Sequence, residues 1–218
     1  MRVLSLSDIV LEPIYTPSVA ERFAHIDFVL GCGDLPYYYL EYLVDVLRKP
    51  VFFVRGNHAS EVEASDQGAD RRAPWGAVDL HRKVVNFNGL LMAGFEGSLR
   101  YRKGGFMYTQ ADMWWLVLEM LPRLLWNRVR HGRALDVLVT HSPPWGVGDA
   151  DDPAHQGFKA LRWLLKVAQP RYHFHGHIHV YSNTTPTIQR FRKTIVINTY
   201  GSRQTRLRIP QLRYTSEP

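Results

Sequence analysis

Side chains that ligate metals recur along this chain in five short islands, each directly after an apolar run of strand length. The islands are Leu6-Ser7-Asp8, Gly33-Asp34, Gly56-Asn57-His58, Val139-Thr140-His141 and Gly176-His177-Ile178-His179. The runs before them are Val3–Leu6, Phe28–Leu30, Val51–Val54, Leu135–Thr140 and Tyr172–His175, several of them β-branched; Leu90–Gly94 is a sixth such run. Residues so far apart in sequence meet only if the strands lie side by side with their carboxyl ends on one rim. Loops converge there while the strands hold them rigid.

Helical spacing predicts helices over Ser18–Ala24, Tyr38–Leu47, Thr109–Val129 and Phe158–Val167. The last sets Leu161, Leu164, Leu165 and Ala168 against Arg162 and Lys166. Pro50 and Pro170 stop helices before the next strand. Thr185–Phe191 and Lys193–Thr199 alternate like a hairpin turning near Arg192, and Leu207–Tyr214 reads as an edge strand or tail. Alternating β and α elements followed by antiparallel strands predict an α/β fold of two stacked sheets with helices outside. No repeat or linker divides residues 1–218, so one domain is expected. Two long polar loops, Ser60–Gly76 and Ser142–Gly157, have the length that usually marks function.

Apolar runs such as Leu135–Val139 and Ile195–Ile197 are far too short to span a membrane. The first residues pass straight into a strand ending on Asp8, which predicts no export and a cytoplasmic protein. A single cysteine, Cys32, excludes an internal disulfide and fits a reducing compartment. Lys and Arg number 27 against 20 acids, a formal charge of +7. That balance suits phosphate-bearing partners, nucleic acid included, and equally a solvated Arg-rich surface.

Carboxylate, amide and imidazole together are the mixture that two adjacent hard-to-borderline cations require. One GNH or GHxH is a common turn; five islands in order, each at a strand end, predict a metal site. The series resembles the calcineurin-like metallophosphoesterase superfamily, whose pattern runs D-x-H, GD, GNH(D/E), H, GHxH. Gly94-Phe95-Glu96-Gly97-Ser98 and His141-Ser142-Pro143-Pro144-Trp145-Gly146 are similar to segments of its small bacterial single-domain members. The resemblance implies a four-layer αββα sandwich of two mixed β-sheets flanked by helices. It also implies two divalent or trivalent metal ions (Mn, Fe or Zn). By that resemblance Asp34 bridges both ions, Asp8 and His179 hold the first, and Asn57, His141 and His177 hold the second. His58 stands beside the site without ligating, placed to donate a proton. Such a dinuclear centre, its ions about 3.5–4 Å apart, acts through a metal-activated hydroxide on a phosphomonoester or phosphodiester.

The chain departs from this pattern twice. Val10 stands where a ligand histidine belongs, and Ala59 replaces the acid after Gly-Asn-His. Val10 leaves either a weak first site or one metal only. A substitute lies nearby: Gly33-Asp34-Leu35-Pro36-Tyr37 is similar to the GDxxY motif of purple acid phosphatases, where the tyrosine ligates. By that likeness Tyr37 replaces the missing imidazole, although Tyr37, Tyr38 and Tyr39 also suit a helix packing by its aromatics. His175 reads as a structural neighbour of the site, and His155 as part of a solvated acidic loop. Arg100, Arg102 and Lys103 could meet a substrate phosphate or form an exposed turn. Arg203, Arg206, Arg208 and Arg213 alternate with Tyr200, Leu207, Leu212 and Tyr214 as a half-buried strand would. The expected function is a metal-dependent phosphoesterase acting on a small phosphate ester. The alternatives are a catalytically weakened metal-binding scaffold on the same fold, favoured by Val10 and Ala59, and a nuclease, favoured by the charge.

Overall fold

Strand alternation divides the chain between three apolar layers. The computed structural model describes residues 1–64, 70–182 and 185–209. In chain order the main elements are β1 (Arg2–Ser7), α1 (Val19–Arg22), β2 (Phe28–Cys32), α2 (Tyr37–Leu47), β3 (Val51–Val54), β4 (Ala77–Asp79), β5 (Val84–Phe87) and β6 (Leu90–Phe95). There follow α3 (Gln110–His131), β7 (Val137–Thr140), α4 (Lys159–Ala168), β8 (Tyr172–His175), β9 (Ile188–Phe191), β10 (Thr194–Asn198) and β11 (Gly201–Arg206).

One sheet has the order β11-β1-β2-β3-β4 and the other β9-β10-β8-β7-β6-β5. In the first, β11 alone is antiparallel to its neighbour. In the second, β5 and β9 are antiparallel at the two edges of a parallel centre. Within β2, Phe28, Leu30 and Cys32 face a core shared with Val137, Val139 and Phe174 of the other sheet. Val29 faces the opposite way, with Leu40 and Leu43 of α2. The second sheet does the same: Met92 looks inward, while Ala93 and Leu138 pack under α3 and α4 with Val117, Leu161 and Leu165. Period-two alternation buried on both faces therefore builds the expected four layers, αββα.

The helix expectations match α1 to α4 within two residues at each end. A capping box starts α3, Thr109 accepting from the Asp112 N–H while the Asp112 carboxylate accepts from the Thr109 N–H. The hairpin forms as β9 and β10, with Arg192 at φ 55° in its turn. Of the two C-terminal expectations, edge strand or tail, the strand is not formed over Leu207–Ile209. The edge strand is β11, before Leu207, and Leu207 and Ile209 are buried in the inter-sheet core. Leu212, Arg213 and Tyr214 lie outside the described residues.

Candidate metal centre

The islands end their strands in backbone geometry that few residues accept. Asp8, Asp34 and His177 have φ of 69°, 53° and 68°, in the left-handed region that L side chains avoid at a cost of order 1 kcal/mol. Strained residues of this kind collect at functional sites. The island glycines leave room for the ligands themselves. A Cβ on Gly33 would come within 2.6 Å of His141 Cγ, and one on Gly176 within 2.7 Å of Asp8 Oδ2. A Cβ on Gly56 would strike the Asp34 carboxylate and lie 2.5 Å from its backbone nitrogen.

The second expected ligand set converges on one atom, His141 Nε2. Asp34 Oδ2 lies 3.2 Å from it, Asn57 Oδ1 3.0 Å and His177 Nδ1 3.1 Å. Backbone carbonyls fix both rings from behind. His141 Nδ1 donates to the Cys32 carbonyl at 3.0 Å, and His177 Nε2 to that of Ala154 at 2.8 Å. Each imidazole thus turns its other nitrogen into the cluster, the arrangement that orients metal-ligating histidines. Asn57 turns its Nδ2 towards Tyr101 Oη, 3.5 Å away, which leaves Oδ1 for the cluster.

Electrostatics mark the same point. Burial lowers the His141 imidazole, but the Asp34 carboxylate overrides it and raises the group to about 9. Burial favours a neutral Asp34, yet His141 and the His58 N–H hold it down to about 2. Burial, reinforced by His141, brings His177 down to about 3. His141 and Asp34 thus face each other as imidazolium and carboxylate. Carboxylate, amide oxygen and two imidazoles are a donor set that a divalent ion of the Mn–Zn series fits. Asp8, Asp34 and His141 also bring ligand atoms within 4.8 Å of one another.

The first set is looser. The Asp8 carboxylate, its pKa raised by burial, accepts from the His177 N–H at 3.0 Å. His179 Nε2 stands 3.9 Å from Asp8 Oδ1, and His179 is exposed. Val10 packs on the apolar cluster beneath α1 and α2. The expectation that Tyr37 completes this set is not met. Tyr37 is the first residue of α2, almost fully buried, and its hydroxyl accepts from Arg55 Nε at 3.0 Å. That hydroxyl lies 3.0 Å from the Ser60 carbonyl and 3.3 Å from that of Arg72. None of these partners belongs to the ligand set. The aromatics beside His179 are Tyr200, its ring centroid 4.8 Å away, and Tyr181, whose hydroxyl is 3.0 Å from His179 Nδ1.

His58 is exposed, and its backbone N–H donates to Asp34 Oδ1 at 2.8 Å. Arg100 turns back to the Met107 carbonyl and Asp112, while Arg102 and Lys103 stay exposed beside Tyr101. His175 is buried and bonded to the Gly176 carbonyl, 2.9 Å away. His155 pairs with Asp152, and its ring lies 5.2 Å from that of His177. Sequence reasoning missed three contributors. The Cys32 and Ala154 carbonyls leave no side-chain signature. Arg55 binds Tyr37, Asp79 and Glu96 just before the Gly-Asn-His turn, where a lone arginine stands out in no pattern.

Among the described residues no helix is long and apolar enough to cross a membrane. The family model described as calcineurin-like phosphoesterase matches residues 1–181. A curated relative, UPF0046 protein T07D4.2 of Caenorhabditis elegans, is 35% identical over 127 residues. That stretch is 56% of this chain but only 29% of the relative, so the chain spans well under two thirds of its length. The crystal structure of TT1561 of Thermus thermophilus aligns with a TM-score of 0.59 at 13% identity, covering 92% of this chain and 89% of that one. A further crystal structure aligns at 0.60 and 17% identity, covering 92% and 90%. At such identities the likeness speaks for the fold.

Proposed function

The chain belongs to the calcineurin-like phosphoesterase family, and from that premise we propose that it hydrolyses a small phosphomonoester or phosphodiester in a metal-dependent reaction. The observation that carries this reading is the meeting of Asp34 Oδ2, Asn57 Oδ1 and His177 Nδ1 within 3.2 Å of His141 Nε2. Ions held there supply Lewis acidity towards water and phosphoryl oxygens.

The chain's own residues do the rest. The carbonyls of Cys32 and Ala154 lock the two imidazoles, so little reorganisation is left to the reaction. The His58 N–H holds one oxygen of Asp34, and the other faces His141. That fixes the carboxylate between the two ligand sets. His58, exposed beside Asp34, would give its proton to the departing oxygen. Arg102, over the ring of Tyr101 whose hydroxyl faces Asn57, brings positive charge to the side where a phosphate anion would approach. Val10 leaves Asp8, Asp34 and His179 as the first set, which supports uneven occupancy: a tight second ion and a weak first one. The buried free thiol of Cys32 supports a cytoplasmic setting.

Elemental analysis at saturating metal, paired with hydrolysis of bis-p-nitrophenyl and p-nitrophenyl phosphate, tests the reading. Asn57→Ala is expected to lower turnover at least about 100-fold, as loss of a donor at a metal site does. Wild-type turnover in that variant, or an active protein free of metal, would overturn it.

A further inference from the structure

Helix α3 buries Met113, Val117, Met120 and Leu124 against the second sheet, yet its opposite face is also apolar. Trp115, Leu118, Pro122, Leu125, Trp126 and Val129 recur at steps of three, four and one along the solvent side. Trp115 and Trp126 are each 66% exposed and Val129 82%. A tryptophan can bury roughly 150–250 Å². With the aliphatic neighbours the stripe therefore offers on the order of 600 Å², the upper end of what a monomer leaves in its largest patch, which is often functional.

We propose that this face is where two copies of the chain pair, α3 against α3, antiparallel about a two-fold axis at Pro122. The stripe is its own complement about that residue. Trp115 and Val129 lie seven positions either side of Pro122, and Leu118 and Trp126 four, so each tryptophan meets an aliphatic residue of the second copy. Charge agrees with the antiparallel sense. Asp112 and Glu119, exposed enough to share their in-chain partners Arg100 and Arg82, occupy the N-terminal half of the helix, and Arg123 and Arg130 the same flank of the C-terminal half. Shape agrees as well. A groove of about 200 Å³ between α3 and α4, lined by Leu121, Leu125, Arg128, Trp163 and Val167, borders the stripe at Leu125. The apolar stripe with its charged borders approaches the about 800 Å² per partner of a stable interface. The isologous geometry is that of most homodimers.

Sedimentation velocity of the full chain at micromolar concentration is expected to show a dimer, and Trp126→Glu to shift it to monomer with circular dichroism unchanged. Cross-linking guards against a misfolded variant. The native thiol is buried, so under mild oxidation Pro122→Cys should give a disulfide-linked dimer, whereas Arg130→Cys, far from its symmetry mate, should not. A monomer at 100 μM, on the order of the weakest affinity that could matter in a cell, would overturn the proposal. So would a dimer indifferent to both Trp126→Glu and Pro122→Cys. Monomers that instead bind phosphatidylcholine vesicles through Trp126 would assign the stripe to a lipid surface and overturn it too.

Discussion

At the residue scale, the centre depends on side chains that are absent as much as on those present. Gly176, just before the left-handed His177, keeps space for Ser7 and Asp8. Gly176→Ala should weaken metal binding by about 10–100-fold, the effect of disturbing a supporting residue. It should also lower thermal stability; metal content after dialysis and a melting curve read the two effects. Unaltered retention of metal would show that the Asp8 side of the centre is not under this steric control. The clustering of Asp34, Asn57, His141 and His177 was legible in the sequence because each is a distinctive side chain at a strand end. Tyr37 misled for a related reason. Spacing places its Cα three residues past Asp34, but the way the phenol points is decided by Arg55 and the Ser60 and Arg72 carbonyls, whose approach no local pattern records.

At the element scale, β8 and the turn after it carry three uncharged buried imidazoles. Burial puts His173 well below its ordinary 6.5, His175 at about 4 and His177 at about 3. An unfolded chain takes up these protons at about 6.5, so the folded state loses stability as pH falls below that value and continues losing it towards 3 to 4. His141 has the opposite sign. Raised to about 9, its contribution is complete below 6.5 and fades as pH climbs through 9. The metal-free protein should be most stable near pH 6.5, losing up to three protons' worth of stability per pH unit on the acid side and one on the alkaline side. Urea denaturation of chelated protein across pH 4–9 measures this, and a flat profile from 4 to 6.5 would refute it. Most elements could be read in advance because strands buried on both faces are unbroken apolar runs. Strand β11 could not. Its residues Gly-Ser-Arg-Gln-Thr-Arg carry no apolar alternation, and pairing with β1, not burial, makes them a strand.

At the scale of the whole molecule, the centre spans the seam between sheets. Asp8, Asp34 and Asn57 follow strands of one sheet, while His141, His177 and His179 follow strands of the other. An ion that binds both halves binds only the folded chain. At a free concentration 100 times its dissociation constant it therefore adds about 2.7 kcal/mol, or roughly 5–10 °C in Tm for a domain of this size. Differential scanning calorimetry with Mn or Zn against chelator should show that rise, and Asn57→Ala should remove most of it. An unchanged Tm would mean that no ion joins the two sheets. The left-handed turns at Asp8, Asp34 and His177 carry a last consequence. A ring of candidate donors set on three left-handed backbone positions is expected to widen little, and so to favour ions of one radius. Calcium, which seeks six to eight oxygens at longer distances, meets both the wrong girth and the wrong atoms. Calcium is therefore expected to bind there more weakly than Mn or Zn, which competition under equilibrium dialysis would measure.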